Sequence, residues 1–208
     1  MVSYVWGLPH PAFASKSKAG RLLFSGWQVA GIITAMSGQP FDIVDTASGS
    51  FYFGANSGLS RPSWAPGATL STAMTNVPTG YFFNPFAFVR PVVQTGQLIP
   101  TSNGAARAGA TGTDIGNVGR NVLRGPKQTN VDFAATKRFQ LGESKSVEFR
   151  AEFFNLFNQV NLVNPISKLN AASINPGNGE ILNAGDFARI TSTSNNPRLI
   201  QLAVKFNF

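Results

Sequence analysis

Two glutamates, Glu148 and Glu152, are the residues whose types come closest to acid–base catalysis. Arg150 stands between them, and all three residues have even numbers, so an extended strand would place their side chains on one face. This arrangement favours structural charge pairing over proton transfer. We therefore predict that the chain is not an enzyme.

The sequence also lacks the residues that a metal site or a phosphate-binding loop needs. The sequence has no cysteine and a single histidine, and Asp42 and Asp45 alone are too few for a calcium site. The glycine-rich run 116–125 lacks the Gly-Lys-Ser/Thr ending of a phosphate-binding loop and predicts a loop that leads into a strand. Arg120 and Arg124 in this run are candidate contacts for ligand or lipopolysaccharide. We expect no cofactor and no metal.

The composition indicates an all-β chain with an unusual environment. Charged residues make up 12% of the chain, about half of the usual soluble share, while 18 residues are phenylalanine and 21 are glycine. Such a balance suits strands that face lipid on one side. The net charge of +8 raises nucleic acid, anionic lipid or lipopolysaccharide as partners. Because the basic residues are scattered, we favour compensating acids in sequence outside this chain and expect no nucleic-acid partner.

Alternation of apolar and polar residues with period two predicts the strands. The clearest alternation runs from Ile200 to Phe208, where every even-numbered residue is apolar. The predicted strands are about residues 1–6, 24–37, 131–141, 145–157 and 198–208.

The connections between these strands are very unequal in length. Residues 142–144 form a tight turn, whereas about residues 44–128 and 158–197 form long loops. Outer-membrane barrels join short periplasmic turns to long extracellular loops, so we predict an antiparallel, partial outer-membrane β-barrel of about four to five strands. The aromatic run 81–88 in the first loop favours packing on the barrel rim over carbohydrate or peptide binding.

The charged residues of two strands predict both a face and a register. A three-residue turn at 142–144 keeps the charged positions on one side and places Arg138 opposite Glu148 and Phe133 opposite Phe153. Because a charge at the bilayer midplane costs about 2–4 kcal/mol, this side must face a wet lumen. The predicted lumen cluster is Asp132, Arg138, Glu148, Arg150 and Glu152.

Five pieces of the chain, in order, carry a family resemblance. The pieces are GWQVAG (26–31) leading to SGQPF (37–41), YFFNPFAF (81–88), GNVGRNVLRGP (116–126) followed by NVDF (130–133), RAEFFNLFN (150–158) and QLAVKFNF (201–208). Together they resemble the late barrel of TonB-dependent receptors, most closely the Oar-like subgroup. The resemblance implies an outer-membrane receptor or importer in a Gram-negative cell, with outer-membrane lipid and lipopolysaccharide as surroundings.

The departures from this family imply an incomplete barrel. The family's barrel has twenty-two strands after a plug domain and a TonB-binding box, and nothing in this chain resembles the plug or the box. About five strands cannot close a transmembrane barrel, since eight is the usual minimum. The N-terminus also lacks the features of a signal peptide. We therefore interpret the chain as a C-terminal fragment whose missing N-terminal barrel and plug would be its partners, with TonB engaged only through the missing segments.

The last strand carries the most specific implied role. An aromatic C-terminal residue after alternating apolar residues resembles the signal that the barrel-assembly machinery recognises, by strand addition at an open sheet edge. The residues of this signal are Leu202, Val204, Phe206 and Phe208.

Two alternatives remain open at this stage. One is a surface adhesin or structural outer-membrane barrel without transport. The other is a soluble basic β protein that binds nucleic acid through arginine and aromatic side chains.

Overall fold

The computed structural model describes residues 1–48, 61–93, 99–100, 106–107, 113–142 and 144–208. The strands are β1 Val2–Gly7, β2 Trp27–Met36, β3 Pro40–Phe41, β4 Ser63–Trp64, β5 Phe88–Val89, β6 Ile99–Pro100, β7 Ala106–Arg107, β8 Leu123–Arg124, β9 Gln128–Gln140, β10 Ser146–Phe154, β11 Ser173–Ile174, β12 Ile181–Asn183 and β13 Leu199–Asn207. The helices are α1 Lys18–Phe24 and α2 Leu70–Thr75, with 3-10 turns at Ala12–Lys16, Pro85–Ala87 and Leu169–Ala171. Within the described residues, no helix combines the length and apolar character needed to cross a membrane.

The sheet of the first compact unit consists of the five longest strands. This unit comprises Met1–Ser37, Lys127–Leu162 and Thr193–Phe208, and its strands follow the order β1-β2-β9-β10-β13, each antiparallel to its neighbour. The observed strands overlap the five predicted segments, with ends that differ by up to about three residues, as is usual at element ends. The prediction of an all-β, antiparallel fold is confirmed.

The predicted register between β9 and β10 is also confirmed. Arg138 lies opposite Glu148 and Phe133 lies opposite Phe153, whose ring centroids are 6.2 Å apart. The turn at 142–144 sets this register, although its central residue, 143, lies outside the described residues. This register is well specified because a slip of one residue would move every side chain of the strand to the opposite face.

The sheet is open. Strands β1 and β13 each pair with a single neighbour among the described strands, so each leaves one edge with unpaired backbone groups. An edge of this kind is a template for pairing with another strand.

The second compact unit lies in the two long connections that the sequence analysis places at about 44–128 and 158–197. It comprises Gly38–Pro126 and Val163–Ser192, and its described residues enclose a core in which Phe83, Phe88 and Phe187 are at most 1% exposed. These rings meet edge to face at centroid distances of 5.3 to 6.0 Å. Aromatic residues without periodicity give no sequence signal for packing, so the sequence patterns did not indicate this core. The choice of packing over ligand binding for the run 81–88 agrees with this core.

The glycine-rich run 116–125 is part of the same packed unit. A Cβ at Gly116 would overlap the backbone carbonyl groups of Arg61 and Pro62, so only glycine fits. Val118 and Leu123 are buried in the core. The run contains β8, and its backbone at Gly116 lies against the loop at Arg61 and Pro62.

Candidate functional site

The candidate functional site is the five-stranded sheet, because its register sorts side chains onto two chemically different faces. One row of aligned partners consists of Trp6, Val29, Ala135, Ala151 and Leu202. The adjacent row, whose side chains point to the opposite side, consists of Gly7, Gln28, Thr136, Arg150 and Ala203. Successive residues of a strand point to opposite faces, so the same alternation continues along the sheet. One face is thus apolar, and the other carries most of the polar groups.

The polar face holds all five residues of the predicted charge cluster, but only three of them pair with each other. The Arg150 guanidinium lies 3.6 Å from a Glu148 carboxylate oxygen and 3.5 Å from a Glu152 carboxylate oxygen. The Arg150 side chain is 49% exposed, so each pair contributes about 0–1 kcal/mol. Arg150 thus lies between two carboxylates, which is the structural charge pairing that the sequence favoured over proton transfer. That this face lines a lumen remains a prediction.

The other two residues of that cluster have different partners. Asp132 accepts hydrogen bonds from the Asn155 backbone N–H and the Asn130 side-chain amide, each at 2.9 Å. Arg138 donates from Nε to the Ser146 hydroxyl at 3.3 Å. Asp132 therefore fixes the chain where β10 ends, whereas Arg138 lies at the opposite end of β9.

A single charged residue, Lys137, interrupts the apolar face among its described residues. Its side chain is 2% exposed, and Nζ donates a hydrogen bond to the Ser25 backbone carbonyl. The ammonium also lies 5.4 Å from the Trp27 ring centroid and 5.0 Å from the Phe139 ring centroid, within cation–π range. Two aromatic faces and one carbonyl thus replace water around this charge.

The C-terminal strand presents its predicted assembly residues at an open edge. Leu202, Val204 and Phe206 alternate along β13, and each side chain is more than half exposed. Phe208 follows the strand and is 98% exposed. The geometry leaves these side chains accessible, and their recognition by an assembly machinery remains a prediction.

The two arginines proposed as loop contacts have unlike environments in the second unit. Arg120 is exposed in a turn before Asn121, a residue with a φ of +52°. Arg124 belongs to β8 opposite Pro40 and donates to the Gly38 carbonyl at 3.3 Å. Arg120 is therefore the freer of the two for an external contact.

Sequence reasoning missed two charged features. Asp45, considered as a calcium ligand, is fully buried and receives the Arg90 guanidinium through Nε at 2.9 Å and Nη2 at 2.7 Å. Since the two residues are 45 positions apart in the sequence, no local pattern could reveal their pairing. The second feature is a basic pocket at the end of the sheet where Arg138 lies. Arg138 is far from residues 18–21 in the sequence, and only the strand register brings it beside them.

A family model described as an outer membrane beta barrel domain matches residues 1–201. No curated protein and no solved structure shows significant similarity to the chain. Across the described residues, no group of three or more histidine, cysteine, aspartate or glutamate side chains is arranged to hold a metal ion.

Proposed function

The chain belongs to the outer membrane beta-barrel family, and from this premise we propose that it forms part of the wall of a receptor barrel of the TonB-dependent, Oar-like type. In this proposal the barrel imports a substrate across the outer membrane of a Gram-negative cell, and the role of the chain is not enzymatic. The two-faced sheet is the observation that carries the proposal. A wall needs an apolar face toward lipid and a polar face toward water, and the observed register supplies both.

The open edges support a larger assembly. In hydrocarbon an unpaired backbone group costs several kcal/mol, so an open sheet cannot stand in a bilayer by itself. Strands β1 and β13 lie at the two edges of the sheet and can each accept one more strand. We propose that further strands of the same receptor, preceded by its plug, pair with these edges and close the barrel. TonB then acts through the plug and not through this chain.

The terminal strand supports a route of assembly. Its exposed apolar residues, Leu202, Val204, Phe206 and Phe208, sit beside an edge that offers main-chain hydrogen bonds. Strand addition combines such hydrogen bonds with alternate side-chain contacts. We propose that the barrel-assembly machinery binds this edge before the last strand closes the barrel.

A blot of fractionated native cells tests the receptor proposal. An antibody against residues 131–157 should detect, in the outer membrane, a band several times larger than the chain's own 22.2 kDa. A band of about 22 kDa in a soluble fraction would overturn the proposal. Dependence of substrate uptake or growth on TonB would then identify the importer among outer-membrane proteins.

A second candidate is a surface adhesin or structural barrel without transport. The observation that favours it is the compact second unit, because two connections from separate parts of the chain form one aromatic core. Packed loops of this kind offer a stable surface for binding at the cell exterior. Loss of cell attachment in a deletion strain, with TonB-independent growth, would favour this candidate over import.

A further inference from the structure

We propose that the end of the sheet that holds α1 binds the phosphate headgroup of an anionic phospholipid. The site is a pocket of about 540 Å³, within the usual range for small-molecule pockets. We name this site the rim pocket. Its lining residues are Lys18, Arg21, Leu22, Ser25, Gly26, Arg138, Phe139 and Gln140.

The charge of the rim pocket selects an anion. Lys18, Arg21 and Arg138 line it, and no acidic residue is among the lining side chains. None of the three cations forms an ion pair with another described residue. Guanidinium groups suit phosphate because their N–H donors match its oxygen atoms in pairs, while a lysine acts as a point charge. The pocket therefore offers one phosphate-bearing group three cations that have no ion-pair partner among the described residues.

The apolar surroundings select a lipid over a free anion. Leu22, Leu23 and Phe24 form consecutive positions of α1, yet the helix buries none of its residues. Leu23 is 58% exposed, and Phe24 packs edge to face against Phe13 at 5.4 Å while remaining 45% exposed. A short helix that exposes large apolar side chains beside basic ones resembles an interfacial membrane element. A free phosphate would leave these side chains in water.

The position of α1 joins the pocket to the apolar face of the sheet. Trp27 belongs to that face, and its indole N–H donates to the Leu23 carbonyl at 2.8 Å. Lys137, on the same face, donates to the Ser25 carbonyl. These two bonds hold the end of α1 against the apolar face, so an acyl chain can continue from Leu22 and Phe139 over lipid-facing side chains. Lysine and arginine side chains at such a boundary direct their charges toward headgroups.

The leaflet follows from the proposed function, on which this inference rests, because outer-membrane barrels place their short turns at the periplasmic side. In that orientation the short turn at 142–144 is periplasmic, and the rim pocket lies at the same end of the sheet because Arg138 and Gln140 line it. The headgroup is then that of a phospholipid in the periplasmic leaflet. The connection between β1 and β2 carries Lys16, Lys18 and Arg21 and no acidic residue, which strengthens this assignment because juxtamembrane cations attract anionic lipid.

Measurement of lipid binding by the full chain tests the proposal. The chain is purified from the outer membrane, with its assembled barrel, in zwitterionic detergent. Native mass spectrometry measures the affinity for dihexanoyl phosphatidylglycerol, for the matching phosphatidylcholine and for inorganic phosphate. The variant Lys18→Ala/Arg21→Ala should bind phosphatidylglycerol about 25-fold more weakly, at about fivefold per cation removed. The charge-retaining variant Lys18→Arg/Arg21→Lys should keep most of the affinity.

The matched control removes two cations at the other end of the sheet. Lys127 precedes β9 and Arg198 precedes β13, so Lys127→Ala/Arg198→Ala changes the net charge equally but leaves the rim pocket intact. This control should keep the wild-type affinity. Equal losses in both double variants, or an unchanged affinity in the rim variant, would overturn the proposal. Inorganic phosphate that binds as tightly as phosphatidylglycerol would overturn the lipid assignment.

Cell fractionation of the same variants separates this inference from the proposed function. A chain that is in the outer membrane but binds both lipids equally contradicts the rim pocket alone. A chain absent from the outer membrane contradicts the barrel proposal itself.

Discussion

A single arginine placed on either face of β9 should reveal which face meets lipid. Ala134 and Ala135 are adjacent residues of the same type near the middle of the strand. Ala135 lies between Val29 and Ala151 on the apolar face, whereas Ala134 lies beside Glu152 on the polar face. The variants Ala135→Arg and Ala134→Arg therefore differ only in the face that receives the charge.

The expected difference is large because lipid cannot solvate a guanidinium. At the bilayer midplane an arginine costs about 2–4 kcal/mol, and a cost of about 3 kcal/mol reduces the folded-to-unfolded ratio by about two orders of magnitude. On the polar face, the same group gains a carboxylate neighbour and water, worth about 0–1 kcal/mol in its favour. The two variants should thus differ by about 3 kcal/mol.

Guanidinium titration of the outer-membrane fraction measures this difference, with the heat-modifiable gel shift of the barrel as the signal for the folded state. With a slope of about 4 kcal/mol per molar, Ala135→Arg should lower the midpoint by about 0.7 M. Ala134→Arg should leave the midpoint nearly unchanged. Equal midpoints for the two variants, or a larger loss for Ala134→Arg, would refute the assignment of the faces.

Three further changes test other parts of the structure. Asp45→Asn removes the buried carboxylate charge that pairs with the partly exposed Arg90 guanidinium and should lower the stability of the second unit by about 2 kcal/mol, measured by pulse proteolysis. Gly38→Ala places a Cβ into the Gly125 carbonyl and should destabilise the same unit by more than about 2 kcal/mol in that assay. Removal of Phe208 should lower the amount of protein in the outer membrane several-fold, measured by quantitative blotting, if this residue belongs to the assembly signal.

Matched variants give each of these tests a control. Asp42→Asn changes the same charge in the same loop without touching the Asp45 pair, and Gly7→Ala adds a Cβ where no atom lies within 4 Å. Asn207→Ala alters the terminal strand but keeps its final aromatic residue. The reasoning fails if a control loses as much stability or membrane yield as the variant it matches.

The two-faced sheet was predictable from sequence because period-two alternation is a local property. The alternation in β9 and β10, together with a turn of three residues, was sufficient to place Arg138 opposite Glu148. Each side chain's face then follows from parity alone. The same reasoning could not decide which charges form ion pairs. Arg138 turned to Ser146 and to the rim pocket, because side-chain rotamers depend on neighbours that the register does not specify.

The second unit was not predictable in the same way. Its core joins Phe83 and Phe88 to Phe187, about a hundred residues further along the chain. These residues lie in a bend, a two-residue strand and a turn, without a shared period. Asp45 and Arg90 are likewise 45 positions apart and belong to no shared sequence motif. Contacts between irregular segments depend on how several loops close together, and single-sequence patterns carry little information on that.

Cysteine accessibility along β9 tests the central claim most directly, and the chain has no native cysteine to interfere. Single cysteines at positions 131 to 136 would be exposed, in intact outer membranes, to a water-soluble maleimide. The account predicts labelling at the even positions, on the polar face, and protection at the odd positions, on the apolar face. Labelling without this alternation, or protection of the even positions, would contradict a sheet that separates lipid from water.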